Sequence, residues 1–284
     1  MSRTPAAALL MASLLAGAPP SPVAADAAPQ PAPAQRIVSM NPSLASILVA
    51  LDAATTLVGV EEHARRLHPE LSSVALIGGL FNPSLEGVIA LEPDLVVLVP
   101  SAEQRDFRGR LEALGIEVLA LPNTSVEEIL GSIEELGLRV GRRAAARLRV
   151  AAIRRAFAEA RAASADRTAP RSVVVLQRDP LYVVGAGSFI DEMLGDAGAV
   201  NVGRALSEPY PRAALEWLID ASPELILDAS DDPTPAAAFW SRWPSIPAVA
   251  NGRVVALPPE VTFPGPYIDR SLALLAERVR GESR

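Results

Sequence analysis

A stretch of fourteen residues occurs twice in this chain, once in each half. Residues 85–98 read LEGVIALEPDLVVL and residues 215–228 read LEWLIDASPELILD, and the two align without a gap. Five positions are identical, and several others are conservative, such as Asp94 against Glu224. The alternative is chance similarity between generic helix-proline-strand units, but packing does not demand the matched glutamate. The repeat therefore predicts a chain built from two halves of similar construction.

Each copy of the repeat predicts a short helix followed by a buried strand. The helix follows a proline and carries a glutamate in its first turn, where the helix dipole favours negative charge. Pro93 in the first copy and Pro223 in the second end the helix, and an apolar run with β-branched residues follows. This rhythm predicts an α/β fold with two similar lobes, each built on a mainly parallel sheet.

The remaining pattern divides the chain into five segments. We expect a signal peptide at 1–27, a disordered Ala/Pro tract at 28–35, an N-terminal lobe at 36–140, a single long linking helix at 141–165 and a C-terminal lobe at 166–284. Further strands are predicted at 36–40, 58–60, 117–121, 172–176, 182–184 and 254–257, and helices at 43–51, from Ser188, and over 125–163 with breaks at Gly137 and Gly141.

The first residues are typical of a secretory signal peptide. Arg3 precedes an apolar run over residues 6–16, and small residues follow at 23–25. No later stretch reaches the roughly 20 apolar residues that a membrane-spanning helix needs. The chain holds no cysteine, which excludes a lipid anchor at the cleavage site, disulfides and thiolate chemistry. These features predict a periplasmic protein without a lipid anchor.

The residue types argue against several function classes. The formal net charge is -7 and no basic stripe is present, so we expect no nucleic-acid partner. The two histidines, His63 and His68, lie in one loop-like segment, which is too local for a metal site shared between lobes.

The sequence also lacks the spacing of common catalytic and cofactor motifs around its glycine pair. Gly185 and Gly187 precede Ser188, but the spacing matches neither a nucleophile elbow nor a dinucleotide fingerprint, and the position of Ser188 is typical of a helix N-cap. We predict no catalytic residues, no bound metal and no cofactor, and an exported α/β hydrolase is the alternative.

Several motifs in order carry a family resemblance. They are Arg36-Ile37-Val38-Ser39 with Pro42-Ser43, Gly78-Gly79 with Asn82-Pro83-Ser84-Leu85-Glu86, Pro93-Asp94-Leu95-Val96, Gly187-Ser188-Phe189-Ile190-Asp191, Gly198 with Asn201-Val202, and Tyr210-Pro211 before Leu215-Glu216. Together they resemble the helical-linker class of ABC-importer substrate-binding proteins, and within it the periplasmic cobalamin-binding proteins with their iron-siderophore and haem-binding relatives. The resemblance implies a monomeric receptor that is not an enzyme, with its ligand cleft between the lobes.

The resemblance also implies a partner and the residues that meet it. In such proteins one glutamate on each lobe docks onto arginines of the permease dimer in the inner membrane, and Glu86 and Glu216 stand at the matching positions. One acidic anchor per lobe suits a symmetric permease. The alternative is that both glutamates only stabilise a helix N-terminus.

For the ligand, the resemblance implies cobalamin or a related corrinoid first, and haem or a ferric siderophore second. The implied ligand-binding residues are Ser39, Asn41, Pro42, His63, Leu80, Phe81, Arg178 and Tyr210. The chain departs from the cobalamin-binding pattern at His63 and Leu80, where aromatic residues are usual, and at Tyr267, where the closing Pro-Gly-Pro motif usually continues with arginine. Phe81, Tyr210 or Tyr267 can supply the missing aromatic surface.

Overall fold

The computed structural model describes Met1 and residues 32–80, 82–101 and 105–281. Apart from Met1, the predicted signal peptide lies outside the described residues, as do residues 28–31 of the predicted Ala/Pro tract and the predicted ligand residue Phe81. No described helix combines the length and the apolar character needed to cross a membrane.

The described elements alternate between strand and helix along most of the chain. The strands are β1 (Ile37–Ser39), β2 (Leu57–Val60), β3 (Ala75–Leu76), β4 (Gly78–Gly79), β5 (Asn82–Pro83), β6 (Leu95–Leu98), β7 (Val118–Ala120), β8 (Arg171–Arg178), β9 (Leu181–Val183), β10 (Val200–Asn201), β11 (Leu225–Asp228) and β12 (Val254–Ala256). The helices are α1 (Pro42–Ala50), α2 (Glu62–Leu67), α3 (Leu85–Ala90), α4 (Arg105–Ala113), α5 (Val126–Arg139), α6 (Arg143–Ser164), α7 (Phe189–Asp196), α8 (Leu215–Ala221), α9 (Ala236–Trp240), α10 (Pro247–Ala250) and α11 (Ile268–Arg280).

Two sheets of matching topology organise these elements. The first has the order β3-β2-β1-β6-β7 and is parallel throughout; the second has the order β10-β8-β11-β12, also parallel, with β9 antiparallel to β8. We call each sheet with its helices a lobe. The strand β6 lies between β1 and β7 as β11 lies between β8 and β12, so four strands of the two sheets correspond in order and β3 is an additional edge strand of the first. This confirms the predicted fold class of two similar α/β lobes.

The sequence repeat corresponds to the same local structure in both lobes. The matched residues Val88 of α3 and Leu218 of α8 are both fully buried. Each helix is followed by a residue with a left-handed backbone, Glu92 in one copy and Ser222 in the other, both at φ +46°. The proline after that residue cannot continue a helix, so each copy turns directly into its buried strand.

Matching hydrogen bonds also fasten each repeat to the first strand of its sheet. In the first lobe the Asp94 carboxylate accepts the backbone N–H of Arg36 at 3.1 Å, and the Arg36 guanidinium donates to the C-cap carbonyl of α3. In the second lobe the Glu224 carboxylate accepts the backbone N–H of Arg171 at 2.9 Å, and that guanidinium donates to the last carbonyl of α8 at 2.8 Å. The two halves therefore share these hydrogen bonds as well as the sequence pattern of the repeat.

The predicted break at Gly137 is wrong, whereas the break at Gly141 is present. Helix α5 continues through Gly137 to Arg139, and Gly141 has φ +69° in the turn before α6. A Cβ added at Gly137 would lie 2.3 Å from the Cβ of Ala146 on α6. Gly137 is therefore required for the close approach of two helices, not for ending one.

Continuous apolar packing joins the lobes around α6. One cluster of buried side chains extends from α1 and α5 through Ile153 and Phe157 of α6 to Met193 of α7 and Leu272 of α11. Burial at this scale favours a fixed arrangement of the helices. We therefore expect the lobes to move little relative to each other.

Candidate functional site

The carboxyl ends of both parallel sheets meet at a cleft between the lobes, the position where α/β sheets most often bind ligands. The larger cavity there has a volume of about 600 Å³ and is lined from the first lobe by Ser46, His63, Leu67 and His68, and from the second by residues between Pro259 and Leu274. The smaller, of about 380 Å³, is lined by Asn123, Thr124, Leu176, Phe189, Ile190, Tyr210, Thr262 and Pro264. Thr262 lines both, so the two cavities are neighbours in one cleft.

Apolar and aromatic side chains form much of the wall of the larger cavity. Leu67 on α2 is 50% exposed there, so its side chain presents apolar surface to the cavity. Phe263, Pro266 and Tyr267 face it from the segment after β12, and Leu274 comes from α11. Such a surface suits a ligand with a broad apolar face.

Tyr210 lines the smaller cavity. It belongs to a loop that lies close to the end of β9. The backbone N–H of Gly185 donates to the carbonyl of Pro209 at 2.9 Å, and a Cβ at Gly185 would lie only 1.9 Å from the carbonyl oxygen of Glu208. A glycine is therefore needed for this loop to approach. Burial raises the pKa of Tyr210 to about 12, so its phenol keeps its proton, and with it the ability to donate a hydrogen bond, to a higher pH than an ordinary tyrosine.

Two direct hydrogen bonds connect the lobes beside the smaller cavity. The backbone N–H of Phe189 donates to the carbonyl of Thr124 at 2.6 Å, and the N–H of Val126 donates to Oε1 of Glu192 at 3.1 Å. Burial raises the pKa of Glu192 although the Val126 N–H stabilises its charged form. A carboxylate of the second lobe thus caps α5 of the first and fixes this edge of the cleft.

A hydroxyl and an imidazole on the wall of the larger cavity, from Ser46 and His68, lie in line with the carboxylate of Glu70, which is not part of that wall. The Ser46 oxygen is 2.6 Å from Nε2 of His68, and Nδ1 of His68 is 3.7 Å from a Glu70 oxygen. The Ser46 hydroxyl, however, donates to the Pro42 carbonyl at 2.8 Å, so His68 donates its Nε2 proton to Ser46 instead of accepting one. Ser46 is 4% exposed in the middle of α1, where the helix uses the backbone N–H groups that an oxyanion hole would require.

The structure places three predicted ligand residues between the end of β1 and the first residue of α1. Ser39 is fully buried and donates its hydroxyl hydrogen to the Asn41 carbonyl at 2.9 Å. Asn41 caps the helix by accepting from the N–H of Ser43 at 3.0 Å and from its hydroxyl at 2.6 Å. Pro42 is the first helical residue. These side chains shape the turn beneath the cleft, and their contact with a ligand stays a prediction.

Arg178, another predicted ligand residue, lies in a buried ionic cluster at the end of β8. Its Nε is 2.9 Å from Oδ2 of Asp228, which also accepts the indole N–H of Trp240 at 2.6 Å. Arg178 further donates to the Thr234 carbonyl at 2.7 Å and lies 3.1 Å from Asp232. The exposed fractions of the Arg178 and Asp228 side chains are 4% and 0%, so this pair supports the second lobe.

Two further predicted residues do line the cleft. His63 lies on the wall of the larger cavity and Tyr210 on that of the smaller. The predicted loop around His63 is instead helix α2, in which Nδ1 of His63 accepts from the Arg66 guanidinium at 2.7 Å. Leu80 is half-buried in the turn between β4 and β5.

Sequence reasoning missed most of the second lobe's contribution to the larger cavity. The segment from Pro259 to Tyr267 and the first turns of α11, including Arg270, line it. The signal was present, because this proline-rich segment directly follows β12 and therefore lies at the carboxyl edge of the second sheet. Within the described ranges, no group of three or more His, Asp or Glu side chains is arranged to hold a metal ion.

Comparison with known proteins gives a consistent set of similarities. The model of a family described as periplasmic binding protein matches residues 37–261. The vitamin B12-binding protein of Vibrio campbellii is 29% identical over 238 residues, which cover 79% of this chain and 82% of that protein. The crystal structure of the periplasmic vitamin B12 binding protein of Vibrio cholerae is similar with a TM-score of 0.77 at 22% identity, over 87% of this chain and 97% of that one. A periplasmic heme binding protein from Pseudomonas aeruginosa gives a TM-score of 0.73 at 26% identity, over 88% and 94%.

Proposed function

Because this chain belongs to the periplasmic binding protein family, we propose that it is the substrate-binding protein of an ABC importer. It captures a corrinoid such as cobalamin in the cleft between its lobes and delivers it to the membrane permease. The protein acts outside the cytoplasm, as its predicted signal peptide implies, and works as a monomer.

The cleft wall is the observation that carries this proposal. A cavity of about 600 Å³ lies between two similar lobes and is lined by apolar and aromatic side chains, among them Leu67, Phe263 and Tyr267. Covering these side chains with a large flat ligand removes apolar surface from water. The names of the similar proteins, which bind vitamin B12, point to a corrinoid as that ligand.

The same cleft favours binding over catalysis. The triad-like arrangement of Ser46, His68 and Glu70 has its hydroxyl hydrogen committed to the Pro42 carbonyl, so the serine is not activated. We therefore propose that the protein binds its ligand unchanged and is not an enzyme.

Haem is the second candidate ligand. The imidazoles of His63 and His68 and the phenol of Tyr267 line the larger cavity, and imidazole and phenolate are both axial ligands of haem iron in proteins. The similarity to the haem-binding protein of Pseudomonas aeruginosa supports keeping this candidate.

Thermal stability measured against a panel of ligands tests the proposal. We expect cyanocobalamin to raise the Tm in a saturable way, since a ligand at about 100 times its Kd adds about 2.7 kcal/mol to the free energy of unfolding. Stabilisation by haem alone would select the second candidate. Turnover of chromogenic esters that is lost in Ser46→Ala would instead identify a hydrolase and contradict the receptor function.

The docking surface is part of the same proposal. Glu86 and Glu216 are each the second residue of their helix, α3 and α8, and both are exposed. Matched acidic side chains on two similar lobes suit a permease with two equivalent subunits, whose arginines can bind carboxylates through paired hydrogen bonds.

A further inference from the structure

Two arginine guanidinium groups lie against the aromatic ring of Tyr267, and within the described part of the chain only one of them forms an ion pair with a carboxylate. The Cζ atom of Arg149, on α6, lies 5.1 Å from the ring centroid, and that of Arg270, on α11, lies 4.2 Å from it. Arg149 forms an ion pair with Asp269 and also donates to the Pro266 carbonyl. Its positive charge is therefore balanced within the protein.

Arg270 has no such counter-charge. Its guanidinium lies on the wall of the larger cavity, and among the residues that the structure describes no carboxylate lies within ion-pair distance of it. The stacking on Tyr267 holds a side chain that would otherwise sample many rotamers, because a planar guanidinium is attracted to the face of an aromatic ring. A preoriented cation therefore faces the space that the ligand occupies.

The other titratable groups on this wall do not neutralise Arg270. They are Glu260, His63 and His68, besides Tyr267 itself. Glu260 is exposed and more than 4.0 Å from the guanidinium, since the two form no ion pair. His63 accepts from Arg66, and His68 is bonded to Ser46.

We propose that Arg270 is a specificity-determining residue that binds an anionic oxygen group of the ligand. The inference rests on the proposed function and deepens it. A ligand that fills the cavity removes water from the guanidinium, and an unpaired desolvated charge is costly. A phosphate or carboxylate placed against Arg270 replaces that water with charge-assisted, bidentate hydrogen bonds.

Both candidate ligands can supply such a group. Cobalamin carries one phosphodiester in its nucleotide loop, and haem carries two propionate carboxylates. Each ligand has an analogue that keeps the ring and lacks the anion: haem dimethyl ester for haem, and dicyanocobinamide for cyanocobalamin. Because dicyanocobinamide also lacks the ribose and the dimethylbenzimidazole base, the change of the affinity ratio in Arg270 variants, and not the wild-type ratio alone, reports the contact with the anion.

Equilibrium titrations of the full chain with these four probes test the proposal. We expect wild type to bind the anionic member of its cognate pair at least about tenfold more tightly than the other member, as for a hydrogen bond to a charged group. In Arg270→Gln that ratio should fall at least about threefold, and Arg270→Lys should lie between the two.

Arg242→Gln is the control variant. Arg242 also stacks on aromatic rings, 4.4 Å from the centroid of Phe239 and 4.6 Å from that of Trp243, but it does not line this cavity. The Arg242→Gln variant should therefore leave the ratio of the two affinities unchanged. An unchanged ratio in Arg270→Gln overturns the inference while leaving the receptor function intact, whereas wild type that binds none of the four probes overturns both.

Discussion

At the scale of single residues, the buried pair of Arg178 and Asp228 is a contact that the sequence does not indicate. The two residues are fifty positions apart, and nothing local in the sequence indicates their contact. Arg178 is the last residue of β8, at the carboxyl edge of its sheet, which is where ligand residues are expected. In the structure its charge is balanced by Asp228, and contact between Arg178 and a ligand stays a prediction.

Asp228→Ala should therefore destabilise the protein by about 3–5 kcal/mol, because it leaves the Arg178 charge and the Trp240 indole N–H buried without a partner. Chemical denaturation measures this loss. Asp232→Ala is the matched control, since Asp232 faces the same guanidinium at 3.1 Å but is exposed, and it should have a far smaller effect. Equal losses in the two variants would contradict the buried-pair interpretation.

Tyr210 gives a pH-dependent prediction. Because burial raises the pKa of its phenol from 10.0 to about 12, the folded protein holds this proton over a range in which the unfolded chain has lost it. The contribution of Tyr210 to stability is thus complete below about pH 10 and is lost as the pH rises towards 12. Absorbance titration of the three tyrosines should show a late-titrating phenol in wild type that is missing in Tyr210→Phe. A late phenol that persists in Tyr210→Phe would refute the assignment.

At the scale of elements, the sequence predicted the strands and helices well, because most of them follow from apolar runs and periodic patterns bounded by proline and glycine. It failed at Gly137, because the sequence alone does not distinguish a glycine that ends a helix from a glycine that allows a neighbouring helix to pack closely. Only the contact with Ala146 distinguishes them. The same limit explains why Ser46 and His68 were not assigned to the cleft: their meeting depends on how α1 and α2 pack.

Gly137→Ala should cost about 1–3 kcal/mol, because the added methyl group overpacks the contact between α5 and α6. Gly131→Ala on the same helix is the matched control. Nothing lies within 4 Å of a Cβ at Gly131, so alanine should there stabilise the protein by about 0.5–1 kcal/mol through its higher helix propensity. Thermal denaturation of both variants tests the contrast, and stabilisation by Gly137→Ala would be inconsistent with close packing at this point.

At the scale of the whole molecule, the duplication could be recognised from fourteen residues, and the topology of both sheets agrees with it. The cleft agrees with the same observation, because residues that follow β7 in the first lobe and β12 in the second line one cavity, as expected when ligands bind at the carboxyl ends of parallel strands. The wall of the cleft could not be predicted in detail. Residues between Pro259 and Leu274 come from the end of the chain and meet α1 and α2 only in the folded protein.

The duplication also leads to a transport prediction. Glu86→Ala combined with Glu216→Ala should abolish ligand uptake by the reconstituted permease while leaving ligand affinity unchanged, because both carboxylates are exposed on helices outside the described lining of the cleft. Glu159→Ala, an exposed glutamate on α6, is the control and should transport normally. A double variant that loses affinity instead would show that the two glutamates act on the ligand or the fold.

The most direct test of the account is a calorimetric titration of the protein with cyanocobalamin, because it asks whether the cleft binds a corrinoid. Wild type should bind one ligand per chain. Leu67→Glu, which places a charge on the exposed apolar wall of the larger cavity, should weaken binding at least about tenfold, whereas Leu148→Glu, at a 74% exposed position on α6, should not. No saturable heat with wild type, or equal affinity in Leu67→Glu, would contradict the proposed receptor.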